Sequence, residues 1–132
     1  MSYRTRANGV TALNVEFVAK PQETYRLHSA IPAAMERTLG EVTGFCGCLL
    51  LISDHEARLV TVITFWSGED RSTRCAASAP WVQKLLSPYM DHCLSVRSLD
   101  AYWPNEAAQV DFLSGQLRAD TQRQQGLALC VS

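Results

Sequence analysis

Gly44-Phe45-Cys46-Gly47 leads into Cys48-Leu49-Leu50-Leu51-Ile52, and after Ser53-Asp54-His55-Glu56 comes Leu59-Val60-Thr61-Val62-Ile63-Thr64-Phe65-Trp66. Two apolar runs of strand length, parted by a short polar turn, read as a hairpin with strands over about 45–52 and 58–66. In the second run Leu59, Ile63 and Phe65 share one face, while Val60, Val62 and Trp66 share the other. The first run likewise sets Phe45, Leu49 and Leu51 against Leu50 and Ile52. Both faces are therefore apolar, which a sheet with one wet side does not need. Helices can cover one face. The simplest cover for the other is a second sheet from a partner chain, and this predicts a homodimer.

Upstream, residues 1–11 are polar around Gly9 and read as a flexible leader, and Ala12 to Lys20 reads as a first strand rich in Val and Phe. Lys20-Pro21-Gln22-Glu23 starts a helix, with proline suited to the first helical position. Its apolar stripe is Leu27, Ile31, Met35 and Leu39, and Pro32 inside it predicts a kink or a split. Downstream, Ser67-Gly68-Glu69-Asp70 opens a second helix that runs to about Ala77, breaks near Ser78-Ala79-Pro80, and resumes from Trp81 to Leu86. A last strand over about Cys93 to Trp103 completes the order β-α-β-β-α-β. The fold class is α+β, ferredoxin-like, with an antiparallel sheet. The domain spans residues 12–103. A C-terminal helical extension, 104–132, follows, with Asn105 as its cap and Val110, Leu113 and Leu117 as a thin stripe suited to packing on a partner subunit.

Composition narrows the function classes. A chain of 132 residues, 47% hydrophobic and 19% charged, is one ordinary globular domain rather than a disordered segment. Its net charge of −1 offers no basic surface, so nucleic acid is not an expected partner. No apolar run approaches the roughly 18 residues that span a bilayer, and Met1-Ser2-Tyr3-Arg4 has no signal-like apolar stretch behind it. These features predict a cytoplasmic location and no membrane contact. The five cysteines are odd in number and match no zinc spacing, so they read as small apolar residues in a reducing compartment. Cys46 and Cys48, two apart in a strand, should lie side by side.

Four pieces, in order, carry a family resemblance. They are Lys20-Pro21 between strand and helix, Gly44-Phe45-Cys46-Gly47 into the second strand, Trp66-Ser67 ending the third, and Ser78-Ala79-Pro80-Trp81 within the second helix. Over roughly residues 12–103 the chain resembles the dimeric α+β barrel proteins of the antibiotic-biosynthesis-monooxygenase type. The resemblance implies a dimeric α+β barrel and a small hydrophobic pocket between sheet and helices. Some members oxidise aromatic polyketides with oxygen and no cofactor, and others degrade haem. The haem-degrading branch uses an Asn on the first strand, a Trp on the second helix and a His about ten residues later. Asn14 stands at the Asn position, but Cys75 and Leu85 stand near the other two, so haem degradation of that type is not expected.

What the resemblance then implies is a cofactor-independent monooxygenase acting on a small aromatic or polyketide-like compound. The alternative is a non-catalytic dimeric module that binds a small hydrophobic ligand, or a stress or regulatory protein. In the enzymatic reading Asn14 would hold a phenolate oxygen. Glu16, two residues on and so on the same strand face, would be the base if that face lines the cleft, and Asp91-His92 is a second candidate acid–base pair. Trp66 and Trp81 would wall the pocket, and Arg71 or Arg74 would reach an anionic ligand at its mouth. Each also has a structural reading: interface polar groups for Asn14 and Glu16, core aromatics for the tryptophans, a solvated helix face for the arginines. His28, His55 and His92 are scattered, without H-x-H or H-E-x-x-H spacing, so no metal site is expected.

Overall fold

The computed structural model describes residues 9–53 and 58–102. Its elements are β1 (Gly9–Ala19), a 3-10 turn (Pro21–Glu23), α1 (Leu27–Leu39), β2 (Phe45–Ile52), β3 (Leu59–Trp66), α2 (Arg71–Leu86), a second 3-10 turn (Ser87–Tyr89) and β4 (Met90–Tyr102). The strands form one antiparallel sheet in the order β2-β3-β1-β4. This is the ferredoxin-like α+β arrangement. The turn residue His55, the leader 1–8 and the C-terminal extension lie outside the described residues.

Several boundaries differ from the sequence expectation. β1 begins at Gly9, inside the expected leader, because Val10 and Ala12 are buried and pair with β4. Pro21 opens only a 3-10 turn, and α1 starts six residues later, at Leu27. Neither helix splits at its proline: α1 runs through Pro32 and α2 through Pro80. A proline in a helix interior costs about 3 kcal/mol. Leu27, Ile31, Met35 and Leu39 are all buried to 1% exposure or less, and each such side chain contributes about 1.5–3 kcal/mol, so the stripe outweighs the break.

Both helices pack on one side of the sheet, α1 over β2 and α2 over β1. That near face carries Leu13, Val15, Phe17 and Ala19 of β1 into the main core. Trp66 closes this core at the end of β3. It is 1% exposed, meets Phe45 edge-on at 5.5 Å between ring centroids, and donates its indole N–H to Thr64 Oγ1 at 3.1 Å. The far face carries its own apolar cluster: Val10, Ala12 and Phe65 buried, with Leu49, Ile63 and Cys46 packed against them.

The register slips between Phe45 and Gly47, where Phe45 pairs with Trp66 and Gly47 with Phe65, leaving Cys46 as the extra residue of a bulge. Cys46 consequently joins the far cluster while Cys48 is buried in the main core. The expectation that the two thiols lie side by side is overturned, because the bulge breaks the period of two.

Candidate functional site

The sequence of α2 places its core residues at Cys75, Ser78, Val82 and Leu86, all buried. One step round the helix, Arg74, Ala77, Ser78 and Trp81 recur at spacings of three and four and form a second stripe beside it. This stripe, with Leu39 at the end of α1, Val42 just beyond it and Trp66 of β3, lines an open cleft of about 170 Å³. A single water needs roughly 10–15 Å³ by the same kind of measure, so the cleft has room for a small organic molecule. Continuity of α2 through Pro80 is what holds Trp81 in phase with Arg74; a break there would turn the ring elsewhere.

The polar groups of the cleft are largely engaged. Ser78 Oγ donates to the Cys75 carbonyl at 2.6 Å, and the Trp66 indole is held by Thr64. Arg74 Nε donates to Asp70 Oδ2 at 2.9 Å, one turn back, and this bond holds the Asp70 carboxyl below its usual range. The stem of Arg74 lies over Gly44, where a Cβ would fall 3.1 Å from Arg74 Cδ. Gly44 has φ +91°, so the chain enters β2 in a conformation suited to glycine, and the missing side chain makes room for the arginine.

The residues singled out from the sequence divide between the two sides of the sheet. Trp66 and Trp81 both line the cleft, the first buried and the second 61% exposed. Arg71 is not among the lining residues; its Nη1 donates to the Gly68 carbonyl at 3.2 Å, and its Nε is buried without a hydrogen-bond partner. Arg74 takes the cleft position instead. Asn14 pairs with Ile63 and Arg97, and Glu16 with Thr61 and Ser95, so both belong to the far face. His92 stands opposite Val18 on that same side. At about 3.4 Å per residue it lies roughly 14 Å along the sheet from Asn14, beyond hydrogen-bond reach. Asn14 and Glu16 therefore do not share the cleft with the tryptophans within one chain. Asn14 Oδ1 and Ser95 Oγ are buried there without a hydrogen-bond partner.

The signal for this division was in β1 itself. Leu13-Asn14-Val15-Glu16-Phe17 alternates cleanly, and the apolar set goes to the helix side. Leu39, Val42, Ala77 and Ser78 were missed as lining residues, although the helical spacing from Arg74 to Trp81 marks the α2 part of the wall. Burial pushes the Cys46 and Cys75 thiols up, opposed by hydrogen bonds with Ser67 and Ser98 respectively. Among the described residues no group of three His, Cys, Asp or Glu side chains is placed to hold a metal ion, and no described helix is long and apolar enough to cross a membrane.

No protein-family model matches the chain, and no curated protein matches it in sequence. Solved structures do share its fold. A protein from Bordetella bronchiseptica, named "Putative antibiotic biosynthesis monooxygenase", superposes with a TM-score of 0.54 at 15% identity, over 72% of this chain and 99% of that one. A protein of the same description from Caulobacter crescentus CB15 superposes with a TM-score of 0.52 at 13% identity, over 74% of this chain and 94% of the other. At these identities the likeness establishes the fold: that of the antibiotic-biosynthesis-monooxygenase-like α+β structures.

Proposed function

We propose that this chain is the protomer of a homodimer that binds a small, flat, hydrophobic molecule in the cleft between α1, α2 and the end of β3. The observation that carries the reading is the pairing of Trp66 and Trp81 across an otherwise mostly aliphatic cleft, one ring fixed in the core and the other at the rim. A buried ring gives a rigid floor, and an exposed ring gives a wall that gains burial when a ligand arrives. Calorimetric titration with 2-naphthamide tests it. Wild type should bind, and Trp81→Ala should weaken binding about tenfold. Equal binding by both proteins would reject the cleft as the site.

The dimer is supported by the far face. Leu51 and Leu99, opposite Thr61 and Ala12 on that face, are 49% and 44% exposed. A second copy presenting the same face would bury these leucines. Sedimentation should give a dimer, and Leu99→Asp should shift it toward monomer; a wild-type monomer at micromolar concentration would count against it.

One observation favours a second, enzymatic reading. Asn14 Oδ1 is buried without a partner beside Glu16 on the far face, and so is positioned to accept a hydrogen bond from a phenol. In that reading a small aromatic or polyketide-like compound with two hydroxyls lies on the far face. One hydroxyl donates to Asn14 Oδ1, and Glu16 takes the proton of the other. The electron-rich anion is oxidised by oxygen without a cofactor, one oxygen atom entering the ring as a quinone oxygen and the other leaving as water. Oxygen uptake with phenolic substrates that Asn14→Ala abolishes would support it. Oxygen uptake unchanged by Asn14→Ala, or none with wild type, would reject it.

A further inference from the structure

The ligand-binding reading leaves the chemical class of the ligand open, and the charge in the cleft narrows it. Seven side chains line the space, and Arg74 is the only one of them with a formal charge. It is also held in place. Its stem lies over Gly44 and its Nε is tied to Asp70 at 2.9 Å, while Asp70 itself is outside the lining. A long side chain restrained at two points has already lost much of the rotamer freedom that binding would otherwise remove. The other polar side chains of the wall are less suited to an anion: Trp66 has its indole N–H on Thr64, and the Ser78 hydroxyl donates to Cys75.

We infer that the cleft selects a flat aromatic acid, with its rings between Trp66 and Trp81 and its carboxylate on Arg74. The inference rests on the ligand-binding reading. Since the Asp70 bond uses Nε, a ligand carboxylate engages the two Nη groups, whose parallel N–H bonds match its two oxygens. A carboxylate suits this arrangement better than a phenol. With an ordinary pKa near 4 a carboxylic acid is fully ionised at neutral pH, whereas a phenol near 10 arrives uncharged. The volume sets an upper bound. At about 170 Å³ the cleft is smaller than the roughly 300–1,000 Å³ of pockets for drug-sized ligands, which fits one or two fused rings rather than a polycycle.

The test compares 2-naphthoate with its neutral isostere 2-naphthamide by calorimetry at pH 7, on wild type and on Arg74→Gln. Wild type should prefer the acid about tenfold, the amount expected of one charge-assisted contact, and Arg74→Gln should bind the two probes equally. Equal wild-type affinity for acid and amide, or a preference that survives in Arg74→Gln, overturns the inference while leaving the cleft as a binding site. Failure of wild type to bind either probe overturns the binding reading and this inference with it. Circular dichroism of Arg74→Gln should match wild type, since the substituted side chain is partly exposed.

Discussion

Cys46 and Cys48, two residues apart on β2, point to opposite faces of the sheet, with Cys46 in the far cluster and Cys48 buried in the core. The single extra residue of the bulge at Phe45–Gly47 separates them. A disulfide between them would need both sulfurs on one side, so the two do not bridge each other in the folded protein. Burial also raises the Cys46 and Cys75 thiols, which lowers the thiolate fraction that reacts. Alkylation of the native protein should modify exposed Cys93 well before Cys46, Cys48 or Cys75, as read by peptide mass mapping. Modification of Cys48 at the rate of Cys93 would contradict the placement.

The raised thiols fix the sign of one pH effect. A group whose folded pKa lies above its unfolded value contributes stability that is complete below the unfolded value, near 8.5 for a thiol, and is lost as pH rises toward the folded one. Urea stability should therefore decline above about pH 8.5, and Cys75→Ser should reduce that decline. An unchanged alkaline slope in the variant would remove Cys75 as its source.

Arg58 is the one described residue other than glycine with positive φ, at 54°. It is held there by Ala19, whose N–H donates to the Arg58 carbonyl at 2.8 Å while Arg58 Nη1 donates to the Ala19 carbonyl at 2.8 Å. Arg58→Ala loses the side-chain bond and keeps the backbone strain, whereas Arg58→Gly loses the bond but relieves the strain. The alanine variant should be less stable than the glycine variant by about 1 kcal/mol in urea unfolding. Equal stabilities would show that the left-handed turn carries no cost here.

Gly44→Ala is expected to act on stability and on the cleft together. Its φ of +91° disfavours any side chain, and the added carbon would meet both Arg74 Cδ and the Ser67 carbonyl at 3.1 Å. A loss of about 1–3 kcal/mol is expected from the backbone alone. Displacement of Arg74 should also lower the preference for 2-naphthoate over 2-naphthamide, so a variant with wild-type preference would show that Gly44 does not position the arginine.

Thr64 and Trp66 offer a test of the cleft floor. Thr64→Val keeps the shape but leaves the buried indole N–H without its acceptor, at a cost of about 1–3 kcal/mol. A neutral result would mean that the indole finds another partner.

How far these features were legible depends on how local their causes are. The β2–β3 hairpin and the stripe Leu27, Ile31, Met35, Leu39 came from periodicity alone, because each face is buried by its own spacing. The helices do not split at Pro32 or Pro80, where packing of the rest of the helix decides the outcome. The bulge at Cys46 depends on pairing with β3, and its one mark within β2 is Gly47 inside the strand. For the site, Trp66 and Trp81, expected as aromatic walls, both line the cleft, and of Arg71 and Arg74, expected together at its mouth, Arg74 lines it. Asn14 is named by resemblance and Glu16 by the period of two, on the condition that their face lines the cleft; alternation with Leu13, Val15 and Phe17 puts that face opposite the helix-side cleft.

The division of the sheet into a helix-side cleft and a separate far face can be read in a single titration. Backbone and indole amide shifts of the ¹⁵N-labelled protein would be followed as 2-naphthoate is added. The largest shifts are expected on Val42, Ala77, Ser78 and the Trp81 indole, with Asn14, Glu16 and Arg97 unmoved. Shifts centred on Asn14, Glu16 and Arg97, with the Trp81 indole silent, would contradict this division and move the site to the far face of the sheet.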